Sequence, residues 1–184
     1  MSVNIQLEWT PNPNTLKYVV DQPLIPSGAV AFRDRQSAEG KSPLAQKLFR
    51  IEGVTAVMLG TNFVTISKGE EGDWDAMNEA VMAALEQHLS AGEPVVIGEI
   101  GSGHSAASDS EIERQIRDIL DEEIRPAVMN DGGDITLDRF ENGVVYLHMR
   151  GSCSGCPSSL MTLKMGIEER LRASIPDVAE VVPV

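Results

Sequence analysis

Aromatic residues are scarce: four Phe, two Tyr and two Trp in 184 residues. Stacking platforms for single-stranded nucleic acid need such rings, which argues against that class of ligand. Basic residues are few as well, 15 Lys and Arg against 28 Asp and Glu, for a formal charge of −13. No Lys/Arg block interrupts this acidity, so neither nucleic acid nor an anionic membrane surface is an expected partner. No apolar run approaches the roughly 18 residues that would span a bilayer. Only two cysteines are present, too few for the disulfide framework of a small secreted domain. The N-terminus, Met1-Ser2-Val3-Asn4-Ile5-Gln6, has no basic and apolar regions of the secretory kind. It also lacks the basic amphipathic character of a transit peptide. The reducing cytoplasm is the expected compartment.

What is present divides into two halves. Gly98 to Ser108, Gly-Glu-Ile-Gly-Ser-Gly-His-Ser-Ala-Ala-Ser, is small, polar and of linker composition. It places a first domain at residues 1–98, a flexible linker at 99–108 and a second domain at 109–184. Both domains are expected to be small and of mixed α+β type. In the first, Ile5, Leu7 and Trp9 alternate with polar residues as on a half-buried strand. Thr10-Pro11-Asn12-Pro13-Asn14 returns the chain into a second strand, and a turn is the preferred reading over a binding loop. Ala29 to Phe32 reads as a short strand. Ser42-Pro43 opens a helix, with Ser as N-cap and Pro at the first helical position. Val54 to Leu59 and Phe63 to Ser67 flank Gly60-Thr61-Asn62 as a hairpin. Trp74, Met77, Val81, Leu85 and Leu89 recur at helical spacing, with His88 read as a surface or boundary residue. Val95 to Ile97 reads as a last short strand. Nothing in this half has the pattern of a catalytic site.

The second half begins with Ser110 and Glu113, spaced as a capping box. Ile112, Ile116, Leu120 and Ile124 continue an amphipathic helix that frays at Arg125-Pro126, with Ala127 and Val128 adding at most a kinked turn. Asn130-Asp131-Gly132-Gly133-Asp134 reads as a tight acidic turn. Its two carboxylates fall short of the oxygen ligands of a calcium loop, so a shaping role is preferred. The turn can still lie near the cysteines once folded. A strand follows, with Ile135, Leu137 and Arg139 on one face and Phe140 on the other. Asn142-Gly143 marks a tight hairpin, and Val144 to Met149 returns, carrying His148 as a strand-face residue. Leu160, Leu163, Ile167 and Leu171 line a second helix. Gly166 inside it costs about 1 kcal/mol relative to Ala, which suggests close packing there. Val178 to Val182 closes the domain. The order is helix, strand, strand, Cys-x-x-Cys loop, helix, strand.

That loop, Gly151-Ser152-Cys153-Ser154-Gly155-Cys156-Pro157-Ser158-Ser159, holds both cysteines. Its small residues suggest that both sulfurs reach outward. Pro157 suits the first position of a helix, which puts Cys156 beside unpaired backbone N–H groups that favour a thiolate. Three chemistries use such a pair: dithiol–disulfide exchange, half of a tetrahedral zinc site and iron–sulfur ligation. A thioredoxin-like motif belongs near the start of a βαβ unit, and this one follows a hairpin late in the chain. A closed zinc or iron–sulfur site takes about four ligands. One chain offers two sulfurs and two chains offer four. If metal is bound, the arithmetic favours a homodimer bridged at an exposed, labile site.

Three stretches together resemble one family: Asp131-Gly132-Gly133-Asp134, the cysteine loop, and Thr162-Leu163-Lys164 with Gly166-Ile167-Glu168. They are similar to the NifU-like domain of the Nfu iron–sulfur cluster scaffold and carrier proteins. Thr10 to Tyr18, Ser42 to Ala45 and Leu48 to Val54 resemble that family's N-terminal domain. The resemblance implies a non-enzymatic scaffold or carrier holding a labile 4Fe–4S cluster between two subunits, with 2Fe–2S as the alternative. It implies Cys153 and Cys156 as the ligands, a homodimer when loaded, apo iron–sulfur proteins as acceptors and the cluster-assembly machinery as donor. Within the family the chain looks like the bacterial form.

Overall fold

The computed structural model describes residues 3–98, 110–155 and 157–184, with the side chains of residues 157–159 left out. The chain divides into two compact units, Met1–Ser102 and Gly103–Val184. The expected linker, residues 99–108, and Cys156 lie outside the described residues. No helix among the described residues is long and apolar enough to cross a membrane.

The N-terminal unit is built on a five-stranded antiparallel sheet. Its strands are β1 (Ile5–Trp9), β2 (Thr15–Val20), β3 (Val30–Phe32), β4 (Val54–Leu59) and β5 (Phe63–Lys68), in spatial order β1-β2-β5-β4-β3. The β1–β2 turn is held internally: Thr10 Oγ1 donates to Asn12 O at 2.9 Å, and Asn14 N donates to Asn12 Oδ1 at 3.0 Å. Three helices accompany the sheet: the single turn α1 (Arg35–Ala38), α2 (Pro43–Leu48) and α3 (Trp74–Ser90). Ser42 Oγ accepts from Ala45 N at 3.0 Å, the N-cap bond expected from Ser-Pro. Met77, Val81, Leu85 and Leu89 of α3 join the core. Trp74 is half-buried, and its Nε1 donates to Pro13 O at 3.0 Å, fixing the Pro/Asn turn to the helix.

Two expectations fail in this unit. Val95 to Ile97 forms no strand. Its backbone is taken by the start of α2 instead: Ser42 Oγ donates to Val95 O at 2.6 Å and Ile97 N to Lys41 O at 2.7 Å. His88 is fully buried rather than at the surface, because it lies three residues after Leu85 and seven after Val81, on the apolar stripe itself. Its Nε2 sits 3.2 Å from Pro94 O, and its Nδ1 lies 3.5 Å from Glu93 Oε2. Burial lowers its pKa, with help from the nearby Lys47 ammonium. The Pro94 carbonyl and Glu93 oppose the shift without reversing it.

A histidine with a depressed folded-state pKa binds fewer protons folded than unfolded. Stability of this unit is therefore full above the ordinary histidine value near 6.5 and falls as pH drops below it, by at most about 1.4 kcal/mol per pH unit. Both tryptophans lie in this unit, so tryptophan fluorescence reports its unfolding. The urea midpoint is expected to be lower at pH 5.5 than at pH 7.5, and His88→Gln to remove most of that difference. Equal midpoints at the two pH values would refute this.

The C-terminal unit starts with α4 (Glu111–Ile119), a π-helical turn (Leu120–Ile124) and α5 (Arg125–Asn130). The capping box forms: Ser110 N donates to Glu113 Oε2 at 2.8 Å, and Glu113 N to Ser110 Oγ at 3.3 Å. The helix does not fray at Pro126. Proline has no N–H to donate, and the ladder shifts there by one residue, Arg125 N bonding to Leu120 O five back. The chain then continues helically to Asn130. Strands β6 (Gly133–Glu141) and β7 (Val144–Gly151) form the hairpin, with Asn142 (φ 52°) and Gly143 (φ 82°) both left-handed at its turn. Helix α6 (Pro157–Ser174) leads to β8 (Glu180–Pro183), which pairs parallel with β7, giving the order β6-β7-β8.

The expected facing of Arg139 with Ile135 and Leu137 is wrong. Leu137 pairs with Leu147 and Arg139 with Tyr146, so the register slips across Asp138. A bulge reverses strand parity. Arg139 is exposed, stacked over the Tyr146 ring at 4.0 Å, while Phe140 packs against the core.

Candidate functional site

The acidic turn and the cysteine loop are adjacent because β6 begins where β7 ends: Gly133 pairs with Gly151. Gly132 (φ 77°) turns the chain out of α5 in a conformation that favours glycine. Ser152 then joins the two loops twice, donating from Oγ to Asp131 O at 2.6 Å and from N to Gly132 O at 3.2 Å. Ser154 folds back on the start of its own loop, its N and Oγ donating to Gly151 O at 3.1 and 2.9 Å. The Asp-Gly-Gly-Asp stretch is thus a shaping turn for the cysteine loop.

Cys153 is buried, 7% exposed, against the expectation that both sulfurs reach outward. The reason lies across the strand pair. A methyl group on Gly133 would overlap Cys153 Sγ and approach Ser152 Oγ to 3.1 Å. The absent side chain at Gly133 is the space the sulfur fills. Burial pushes the Cys153 thiol up to about 11. The Asp131 and Asp134 carboxylates add to that rise and a hydrogen bond with Ser152 opposes it. The placement of Cys156 at the helix cap lies outside the described residues.

Gly133 does not have a left-handed φ, so Gly133→Ala tests space alone. Overpacking of this kind costs about 1–3 kcal/mol. We expect a lower melting temperature and, in a Cys156→Ser background, faster alkylation of a displaced Cys153. Unchanged stability and alkylation rate would show that the sulfur does not need that space.

Asp134 is fully buried, which periodicity does not suggest, since it is out of phase with Ile135 and Leu137. Arg125 covers it, Nε donating to Oδ1 at 2.8 Å and Nη2 to Oδ2 at 3.3 Å, while Nη1 reaches Asp121 Oδ1 at 2.9 Å. Burial nonetheless holds the Asp134 carboxyl above its ordinary value, with Arg125 opposing. His148, on the opposite strand face from buried Leu147 and Met149, has its Nε2 3.0 Å from Asp138 Oδ1. Among the described residues, no group of three or more His, Cys, Asp or Glu is arranged to hold a metal ion.

Two small α/β units, the second carrying its cysteine loop between a hairpin and a helix, define a two-domain α/β protein. Residues 5–92 match the domain described as Scaffold protein Nfu/NifU N terminal, and residues 116–182 match the NifU-like domain. The chain belongs to the Nfu/NifU scaffold family. It is 42% identical over 176 residues to the human NFU1 iron-sulfur cluster scaffold homolog, covering 95% of this chain and 69% of that protein. Against the Drosophila virilis protein of the same description it is 41% identical over 182 residues, covering 98% of this chain and 61% of the relative. A solved NifU-like protein from Saccharomyces cerevisiae is 27% identical, with a TM-score of 0.49, over 53% of this chain and 87% of that one.

These relatives overturn the expected cytoplasmic location. The human, Drosophila and Arabidopsis proteins are mitochondrial. The cytoplasmic reading rested on the low cysteine content, the lack of a long apolar run and the composition of the first six residues, and the relatives extend beyond the span matched here. That composition does not report the compartment.

Proposed function

We propose that this chain is a carrier that holds a labile iron–sulfur cluster, 4Fe–4S, between two copies and passes it to apo-proteins. Cys153 and Cys156 are the ligands from each copy. The observation that carries the reading is the built cysteine loop: a chain with only two cysteines devotes two glycines, a serine and an acidic turn to placing one of them. Four thiolates complete a cubane, and two copies supply them. The relatives described as iron-sulfur cluster scaffolds support the same reading.

In this reading residues 109–184 bind the cluster, residues 99–108 tether, and residues 1–98 recognise acceptors. The donor is the cluster-assembly machinery, and the acceptors are apo iron–sulfur proteins. Loading requires Cys153 to lose its proton, because the thiolate is the metal ligand. Anaerobic reconstitution with iron and sulfide, followed by native mass spectrometry and iron quantification, tests the proposal. One four-iron cluster per two chains is the expected product. Zinc retained against iron and chelator, or disulfide reductase activity in metal-free monomer, would overturn it.

A further inference from the structure

Helix α6 leaves the cysteine loop with two faces of unusual character. Leu160, Leu163, Ile167 and Leu171 pack into the unit's own core. On the opposite side Met161 is 68% exposed and Met165 67%. Beside them is Gly166, where an added Cβ would meet nothing within 4 Å. The close packing expected at Gly166 is therefore not supplied by the described part of this chain. A glycine in a helix interior costs about 1 kcal/mol relative to Ala, and a lost side chain there makes sense if something from outside approaches the backbone.

The location of this patch narrows what approaches. The second half of α6 is charged: Arg172 meets Glu168 at 2.9 Å, and Arg170 reaches Glu123 at 2.5 Å. The only charge between Leu160 and Ile167 is Lys164, held by Glu180 at 3.1 Å. The apolar surface is thus confined to the turns nearest the cysteine loop. Two copies of a chain with formal charge −13 repel each other over most of their surface, and least where the surface is neutral. A protruding methionine next to a glycine gap is also self-complementary, as a two-fold interface requires. Methionine adapts to a contact that must form and dissolve.

We propose that Met161, Met165 and Gly166 form the face on which a second copy of the chain docks, bringing the two cysteine loops together. The inference rests on the shared-cluster reading, and it names the surface which that reading leaves open. The test compares the full-length chain with Met161→Glu/Met165→Glu and with Met161→Leu/Met165→Leu, all reconstituted anaerobically. Sedimentation equilibrium and iron content are read on each sample. Both positions face solvent, and far-UV circular dichroism checks that the variants fold.

The glutamate variant is expected to raise the dimer dissociation constant about tenfold or more, as loss of a central contact does, and to lose its iron in parallel. The leucine variant should stay a loaded dimer. A glutamate variant that dimerises and loads like the unsubstituted chain would overturn the inference while leaving the shared cluster intact. A glutamate variant that forms a loaded dimer but no longer discharges to an apo-acceptor would also overturn it, assigning the face to the acceptor instead. If the unsubstituted chain loads as a monomer, the shared-cluster reading falls, and this inference falls with it.

Discussion

Cys153→Ala and Cys156→Ala, each made alone in the full chain, are expected to abolish both cluster uptake and the cluster-dependent rise in mass. The chain has no third cysteine, so either change leaves a dimer with two thiolates where a cubane takes four. The loss is therefore close to all-or-none rather than a graded weakening. The unsubstituted apo-chain should be mostly monomer and the reconstituted chain mostly dimer. A ligand that needs two chains pulls the monomer–dimer equilibrium toward dimer by mass action. Adding an apo-acceptor should discharge the cluster and return the carrier toward monomer. Native mass spectrometry with iron quantification reads mass and load on one sample. A fully loaded monomer, or a Cys156→Ala chain that still dimerises around a stable cluster, would refute the shared site. Asp131, Asp134, His148 or a small thiol would then have to complete the ligand set.

The two cysteines do not stand alike. Cys153 is held under a strand pair, and its burial is set by Gly133, twenty residues earlier in the chain. That relation has no local signature. A glycine pair after an asparagine and an aspartate reads as a turn, and Gly132 with φ 77° behaves as one. The role of its neighbour is to be empty, which only the pairing of Gly133 with Gly151 reveals. The elements that were legible are those whose partners are near in sequence. Ser42-Pro43, the Ser110–Glu113 box and the Asn142-Gly143 turn each bond within a few residues, so their chemistry can be read from the letters. His88 was legible too, on a strict count of helical spacing, but its polarity weighed against its position.

What escaped the sequence depends on long-range closure or on a shift of one residue. The register slip at Asp138 exchanges the faces of Arg139 and Phe140, and alternation cannot foresee where an extra residue is inserted. Glu113 links the two levels. It caps its own helix, and its Oε1 also accepts from Phe140 N at 3.2 Å, next to that slip. These bonds, the one from Ser110 N first, hold its carboxyl below the ordinary value against the effect of burial. The π-turn is a similar case. Pro126 announces an interrupted ladder, but not that the chain stays helical beyond it and so carries Arg125 over Asp134.

Arg125→Ala is expected to be the most destabilising single change in the C-terminal unit. It leaves the fully buried Asp134 without its two guanidinium bonds, and stranding one member of a buried pair costs about 3–5 kcal/mol. At about 1.4 kcal/mol per factor of ten, that is a loss of roughly a hundredfold or more in hydrogen-exchange protection where exchange in β6 and β7 requires global opening of the unit. Asp134→Asn should cost much less, because Arg125 is partly exposed and keeps Asp121 at 2.9 Å. The contrast between the two variants separates a stranded charge from simple loss of a contact. The pH dependence has a definite sign. Without Arg125 the folded-state pKa of Asp134 rises further above its unfolded value. A raised carboxyl pKa gives stability that is complete below the unfolded value and is lost as pH rises through the folded one. The penalty of Arg125→Ala relative to the unsubstituted chain is therefore larger at pH 7.5 than at pH 5, where Asp134 is nearer neutral. Hydrogen exchange followed by mass spectrometry at the two pH values, corrected for intrinsic rates, measures it. The cysteine loop should loosen in the same variant, since Asp131 O and Gly132 O, which hold Ser152, lie in the turn that Asp134 anchors. A variant with full protection at pH 7.5, or with a larger loss at pH 5 than at pH 7.5, would show that Asp134 is not held as a buried charge by Arg125.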